Sequence, residues 1–393
     1  MLKRNLEKQL KSTFLQYPVV TLIGPRQSGK STLVRSCFPE LAYVNLENPE
    51  IRRFVTEDPQ AFLNEHSSGA ILDEIQNTPE LLSFIQVLVD EKNQNSLFVL
   101  TGSHQLALHE SISQSLAGRT ALLTLLPLSI AELKSNGIEF AADKQMLQGG
   151  YPRIYHQNLD PTRAYADYYQ TYIQRDVRQM INIKDLNLFT KFIKLCAGRV
   201  GSLLSASSLA NEVGVSSHTI NSWLSILEAS FIIFRLQPYF ENFGKRAIKS
   251  SKLYFTDIGL ACYLLDIENI TQIKRDPLRG ALFENMVVLE LMKFRLNQGK
   301  NPNLYFYRDN HKNEVDVIFK YGYKLLPIEI KSAQTFNSSF LKNLKFYHKI
   351  AKDYIDESYL IYAGNQQQKI DKTQIINFQN MSIIWQKLDE DKM

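Results

Sequence analysis

The segment Gly24-Pro25-Arg26-Gln27-Ser28-Gly29-Lys30-Ser31-Thr32 constrains the fold more than any other stretch of the chain. It follows Pro18-Val19-Val20-Thr21-Leu22-Ile23, an apolar, β-branched run that reads as a buried parallel strand. Gly24 and Gly29 allow backbone N–H groups to approach and wrap phosphates, while Lys30 supplies a cation to β/γ oxygens. Ser31 then falls where a hydroxyl holds Mg²⁺. Strand, loop and helix start stand in the order of a phosphate-binding loop, so all nine residues are expected to contact nucleotide. The alternative is a flexible glycine turn.

A second strand pattern agrees with the first. Gly69-Ala70-Ile71-Leu72-Asp73-Glu74-Ile75-Gln76 runs from small to apolar residues and ends on two carboxylates, the form of a Walker B strand. Asp73 is expected to complete the Mg²⁺ shell and Glu74 to polarise the attacking water, because phosphoryl transfer depends on positioning and charge stabilisation. Ser96-Leu97-Phe98-Val99-Leu100-Thr101-Gly102-Ser103 is another apolar strand ending in hydroxyls. Thr101 and Ser103 are candidates for sensing the γ-phosphate, with turn capping as the alternative for Ser103. Arg119, after the small-residue break in Ser115-Leu116-Ala117-Gly118-Arg119-Thr120, is the arginine-finger candidate for a nucleotide on a neighbouring subunit.

At 393 residues the chain has room for two to four domains. Hydrophobic residues at 44% and charged residues at 22% exclude a disordered or fibrous chain. The net charge of +5 permits an anionic partner without requiring one. Cys37, Cys196 and Cys262 are too few and too far apart for a disulfide framework, and no Cys or His cluster has zinc spacing. The N-terminus lacks the apolar core of a signal peptide, and no run of about 18 apolar residues is present, which predicts a cytoplasmic protein without a membrane partner. Leu2, Leu6, Leu10 and Phe14 are spaced for an amphipathic helix that packs on the first domain.

The loop, the Ile71-Leu72-Asp73-Glu74-Ile75-Gln76 strand, Leu100-Thr101-Gly102-Ser103, Ser115-Leu116-Ala117-Gly118-Arg119 and the turn Gly149-Gly150-Tyr151-Pro152-Arg153 together resemble the AAA+ superfamily. Within it they resemble predicted ATPases of bacteria and archaea that pair an AAA domain with a C-terminal domain of uncharacterised function. That resemblance covers nearly the whole chain, and Tyr172-Ile173-Gln174-Arg175-Asp176-Val177-Arg178 matches a family helix. It places Arg153 and Arg175 as residues that could reach nucleotide.

Farther along, Leu209-Ala210-Asn211-Glu212-Val213-Gly214-Val215-Ser216 is a helical pattern broken by glycine, with Ser216 capping a following helix. Ile220, Leu224 and Leu227 mark that helix's apolar face and leave Ser217, His218, Asn221 and Ser222 outward, a helix-turn-helix pattern. The strand-like Phe231 to Leu236 and the basic stretch Lys245-Arg246-Ala247-Ile248-Lys249-Ser250-Ser251-Lys252 resemble a wing. Such a module reads DNA or docks a protein. The outward face carries no Lys or Arg, so phosphate attraction would rest on the wing.

The C-terminal region begins with an amphipathic helix, Gly280 to Glu290, containing Glu284. Two strands follow, Asn313 to Phe319 with Asp316, and Leu326 to Ser332 with Glu329 and Lys331. Alternation puts Glu329 and Lys331 on one side of their strand. This set resembles a PD-(D/E)xK nuclease, in which Asp316, Glu329 and Glu284 would bind Mg²⁺ and Lys331 would activate water. A salt bridge in an inherited fold that no longer cuts is the alternative.

The expected architecture is α/β: an AAA+ P-loop core over residues 1–135, a helical lid over 136–195, a winged helix over 196–275 and a restriction-endonuclease-like α/β domain over 276–393. The expected function is ATP-hydrolysing DNA processing, with ATP and Mg²⁺ as cofactors and DNA as partner. The chain is also expected to form a homo-oligomeric ring or partial ring. The alternative is a signalling or scaffold ATPase.

Overall fold

The computed structural model describes residues 2–103, 115–177, 185–239 and 249–390. After helix α1 (Glu7–Phe14), the chain alternates strands and helices: β1 (Val19–Ile23), α2 (Lys30–Cys37), β2 (Ala42–Asn45), α3 (Pro49–Glu57), α4 (Pro59–Glu65), β3 (Ala70–Asp73), α5 (Leu81–Lys92), β4 (Phe98–Gly102) and β5 (Thr120–Thr124). Among the described residues these strands form one parallel sheet in the order β2-β3-β4-β1-β5. The central strands β1, β3 and β4 are buried along their length, as expected for a parallel sheet with both faces covered. On one face Leu6, Leu10 and Phe14 of the N-terminal segment pack with Val20, Leu22 and Leu33, the role expected for that amphipathic stripe.

The middle of the chain is helical: α6 (Ile130–Ser135), α7 (Ala142–Gln148), α8 (Pro152–His156), α9 (Pro161–Tyr168), a π-helical segment (Tyr169–Val177), α10 (Leu186–Ala197), α11 (Ala206–Val213) and α12 (Ser217–Ala229). Gly214, at a φ of 92°, turns the chain between α11 and α12, and the Ser216 hydroxyl accepts the Thr219 N–H to cap α12. Ile220, Trp223, Leu224 and Leu227 are buried, whereas Ser217, His218, Asn221 and Ser222 are exposed.

Strands β6 (Ile233–Pro238) and β7 (Lys252–Phe255) pair antiparallel, and α13 (Ile258–Leu264), α14 (Ile270–Arg275) and α15 (Arg279–Asn297) follow. The remaining elements are β8 (Leu304–Arg308), β9 (Glu314–Tyr321), β10 (Lys324–Lys331), α16 (Lys342–Ile350), β11 (Ser358–Tyr362), β12 (Gln368–Ile370), β13 (Thr373–Asn377) and α17 (Ser382–Glu390). β6 pairs parallel with β8, Gln237 opposite Tyr305 and Pro238 opposite Phe306. One sheet therefore runs β12-β13-β11-β10-β9-β8-β6-β7, across the 275/276 division expected from the sequence. Pairing at the end of β6 joins the expected wing strands to the C-terminal sheet.

Helix α15 departs from its expected amphipathic form. Asn285, Glu290 and Lys293 are buried along with the apolar residues, because the helix is enclosed by the first sheet, α13 and β10. Glu290 Oε2 accepts the Ile130 N–H at 2.6 Å, and Lys293 Nζ donates to Glu290 Oε1 and to the Leu128 carbonyl, both at 2.8 Å. Burial pushes the Glu290 carboxyl up, and Lys293 opposes that shift. The three cysteines are buried free thiols, in accord with the expected lack of disulfides. Among the described residues no helix is long and apolar enough to cross a membrane.

Lys293→Met strands the Glu290 carboxylate in the interface and is expected to destabilise the fold by about 3–5 kcal/mol. The double change Glu290→Gln with Lys293→Met is expected to cost less, and chemical denaturation of the two variants measures the difference.

Candidate functional site

The nucleotide cleft is built where β1 ends and α2 begins. Gly24 has a φ of 154°, and a Cβ there would lie 2.1 Å from the Leu125 carbonyl oxygen, so the loop's close approach to the chain after β5 requires glycine. Gly29, at a φ of 93°, precedes α2 in a left-handed conformation. Lys30 is buried, and its Nζ donates to the carbonyls of Gly24 at 3.0 Å and Pro25 at 2.9 Å. Burial lowers the Lys30 pKa, while Glu74 and Asp73 act in the opposite direction.

The ends of β3 and β4 meet this loop. Asp73 Oδ1 accepts the Ser31 hydroxyl at 3.0 Å and the Thr101 hydroxyl, while Oδ2 accepts the Tyr43 hydroxyl at 2.6 Å. Burial raises the Tyr43 pKa, and its bond to Asp73 adds to the shift. Glu74 sits at a left-handed φ of 60°, with its N–H donated to Thr101 Oγ1 at 3.1 Å. Its Oε2 accepts the Ser103 hydroxyl at 3.0 Å and the Gln76 amide. Such a backbone costs about 1–3 kcal/mol in a non-glycine residue, and the hydrogen bonds around Glu74 hold it there.

Lys30, Ser31, Thr32 and Glu74 face Leu2, Arg4, Pro152, Arg153 and His156 across a cleft of about 570 Å³. That volume suits a nucleotide-sized ligand. Thr32 and Gln27 are exposed there, Ser28 and Pro25 are buried in the loop, and Arg26 pairs with Glu47 at 3.2 Å. The far wall is set by the Gly149-Gly150 turn, which Asp257 grips through the Gly150 N–H at 2.8 Å. A Cβ on Gly149 would come within 1.8 Å of the Tyr165 hydroxyl, itself bonded to Asp257 at 2.6 Å. Arg153 is exposed on this wall; the Arg175 side chain lies outside the described residues.

Arg119 lies at the other end of the sheet. Its carbonyl accepts the N–H of Val19, the first residue of β1, about 13 Å along the strand from the phosphate loop. The guanidinium forms a two-pronged bond to Asp90 on α5, at 2.6 and 2.7 Å. The finger candidate is thus remote from its own subunit's loop and engaged in a surface ion pair.

A second constellation forms in the C-terminal sheet. Glu284 from α15, Asp316 from β9, and Glu329 and Lys331 from β10 are brought together as expected. Lys331 Nζ lies 2.7 Å from Glu329 and 4.0 Å from Asp316. Asp316 also accepts the Ile330 N–H at 2.7 Å, and burial followed by the charges of Glu329 and Glu284 pushes its carboxyl well up.

Lys252 is a correction. Counted with the basic wing, it is buried on β7, where it pairs with Glu284 at 2.8 Å and Glu314 at 2.5 Å. Tyr254 on the same strand also bonds Glu284. An ammonium therefore stands on the carboxylate expected to join a metal shell. Among the described residues no group of three or more His, Cys, Asp and Glu side chains is placed to hold a metal ion. As arranged, the C-terminal set does not fit a divalent cation, although Glu329 Oε2 is buried without a hydrogen-bond partner. Wing residues 245–248 lie outside the described residues.

Comparison with known proteins matches the region of the first constellation to a known domain. A family model described as an AAA domain matches residues 16–134. Two domains of unknown function, DUF8612 and DUF4143, match residues 140–271 and 279–381. An uncharacterised protein of Mycobacterium tuberculosis is 32% identical over 339 residues, covering 85% of this chain and 74% of that protein. The chain belongs to this family of AAA-domain ATPases. An uncharacterised protein of Haemophilus influenzae is 22% identical over 347 residues, covering 79% of this chain and 82% of that protein. Among solved structures, the Walker-type ATPase of Pyrococcus abyssi aligns with a TM-score of 0.46 at 15% identity, covering 67% of this chain and 96% of that one.

Sequence reasoning missed Arg4, Tyr43 and Gln76 in the ATPase site and Lys252 in the C-terminal set. Arg4, Tyr43 and Lys252 sit outside the spaced motifs, Gln76 ends the Ile71-to-Gln76 strand pattern without a role of its own, and only the Leu2-Leu6-Leu10 stripe hinted that the N-terminal segment packs on the first domain. Gly24→Ala drives a methyl group into the Leu125 carbonyl and is expected to cost about 2–4 kcal/mol, read as a fall in the denaturation midpoint.

Proposed function

We propose that this ATPase uses its nucleotide cycle to reposition a DNA-handling C-terminal half. In this reading Lys30 meets the β/γ-phosphate oxygens, Ser31 and Asp73 hold Mg²⁺, and Glu74 polarises the attacking water. Thr101 and Ser103 report on the γ-phosphate through the two carboxylates they already bond, and Arg153 approaches from the facing wall. The observation that carries the reading is the pairing of Ser31 with Asp73 and of Ser103 with Glu74 beside the phosphate loop. A hydroxyl and a carboxylate 3.0 Å apart suit Mg²⁺, which would neutralise phosphate charge there.

The DNA-handling part of the reading draws on the middle and C-terminal elements. The sequence of α11, α12 and the β6/β7 pair supports the winged-helix reading, and α12 leaves a polar face exposed. The order α15-β8-β9-β10-α16-β11, an antiparallel meander followed by a helix crossover to a parallel strand, supports the endonuclease-like reading. Lys252 on Glu284 favours a domain that engages its partner without metal-dependent cleavage. The absence of Lys and Arg from the exposed α12 residues favours a second reading, a scaffold ATPase that docks a protein instead. For assembly, Arg119 would exchange Asp90 for a neighbour's nucleotide in a homo-oligomer, a change that an exposed ion pair permits at small cost.

Glu74→Gln is expected to retain ATP and lower turnover at least a hundredfold, whereas Lys30→Ala is expected to lose binding; phosphate release and equilibrium dialysis read the two. Wild-type turnover by Glu74→Gln would remove Glu74 as the water-positioning group. Duplex, single-stranded and branched DNA incubated with the wild type and Mg²⁺ or Mn²⁺ are expected to be bound and left intact. Cutting that Asp316→Ala abolishes would restore the nuclease reading, and no binding to any DNA would leave the scaffold reading.

A further inference from the structure

The phosphate loop is held from outside by a side chain its motif does not contain. Arg4 precedes α1 and is 8% exposed, with its guanidinium aimed at the loop. Nη1 donates to the Ser28 carbonyl at 2.6 Å, Nη2 to the Leu126 carbonyl at 2.5 Å, and Nε to Glu132 Oε1 at 3.1 Å. Glu132 is fully buried, and it also accepts the Asn5 N–H at 2.7 Å and the Ser129 N–H at 2.8 Å. Three acceptors, one from the phosphate loop and two from residues 126–132, thus converge on one planar cation. Lysine, a point charge without the fork, cannot serve all three.

Ser28 is the residue before Gly29, and the peptide between them opens α2. A peptide unit is planar and trans, so its C=O and N–H point in opposite directions. Fixing the Ser28 carbonyl on Arg4 therefore fixes the direction of the Gly29 N–H. The first N–H groups of a helix have no partner inside it and serve as phosphate donors. Without Arg4 the Ser28 carbonyl loses its side-chain anchor, and part of the binding energy goes to ordering the Ser28-Gly29 peptide. Arg4 also borders the cleft itself, where a Cβ on Gly29 would lie 3.6 Å from Nη1.

We propose that Arg4 is a positioning residue of the ATPase site, presetting the Ser28-Gly29 peptide for phosphate and tying the loop to the turn that carries Leu126 and Glu132. The inference rests on this loop being the nucleotide site. Arg4→Lys keeps a cation beside Glu132 and gives up the fork. It is expected to weaken a fluorescent ATP analogue about tenfold, the loss of one charge-assisted hydrogen bond. The double variant Arg4→Met with Glu132→Gln removes the ion pair without stranding a buried charge, and is expected to weaken the analogue at least as much.

Asn377→Ala serves as the comparison. It removes buried hydrogen bonds to Gly364 and Asn365 at the end of β13 and is expected to lower the melting temperature while keeping nucleotide affinity. A merely structural Arg4 would behave in the same way. Folded Arg4 variants that bind the analogue within twofold of wild type would overturn the inference. Wild type and Lys30→Ala binding the analogue equally would instead sink the nucleotide-site reading, and the role of Arg4 with it.

Discussion

The arrangement depends on a buried ionic node at the turn between β5 and α6. Arg4 and Glu132 lie on one side of this turn, Glu290 and Lys293 on the other, and each pair takes backbone groups of residues 126–130 as additional partners. Each buried charge has an opposite charge and at least one backbone hydrogen bond, the condition under which such groups are tolerated inside a protein. Removing one member leaves its partner stranded. The node therefore fixes the geometry of two neighbours at once: the phosphate loop through the Ser28 carbonyl and α15 through Glu290.

Helix α15 gives that constraint its reach. Near its start Glu284 pairs with Lys252 of β7, and Glu290 and Lys293, about two turns later, meet the first sheet's turn. A rigid helix carrying both contacts cannot shift at one without displacing the other. The sheet that joins β6 and β7 to β8 extends the same connection to α11 and α12, since β6 follows directly from α12. A second tether runs through Asp257, which holds the Gly150 turn on the far wall of the cleft while capping α13. Nucleotide-dependent movement of either wall would thus reach the C-terminal half through packed polar contacts.

What was legible in the sequence was chemistry written in contiguous residues. Gly24 to Thr32 could be read because the loop's geometry demands glycine, lysine and hydroxyl at fixed spacing, and Asp73-Glu74 because a strand end delivers both carboxylates to the same place. Asp316, Glu329 and Lys331 are legible by strand context and Glu284 by its helix, and the fold brings them together. Arg4, Tyr43 and Lys252 were not legible as site residues, since each reaches its site by tertiary approach from a distant segment. Lys252 shows the hazard: in a basic run it reads as part of a phosphate-facing wing, yet strand pairing turns it inward onto Glu284. The amphipathic pattern of α15 misled for a related reason. Glu290, at the end of the stretch read as amphipathic, is buried with Lys293 because the two neutralise each other against a third element.

Hydrogen–deuterium exchange of Glu74→Gln with and without a saturating ATP analogue tests the central claim, that the node joins nucleotide to the C-terminal half. ATP is expected to slow exchange in the phosphate loop, in the 126–132 turn and along residues 284–293 of α15 together. Protection confined to the phosphate loop and the ends of β3 and β4, with the turn and α15 unchanged, would contradict it.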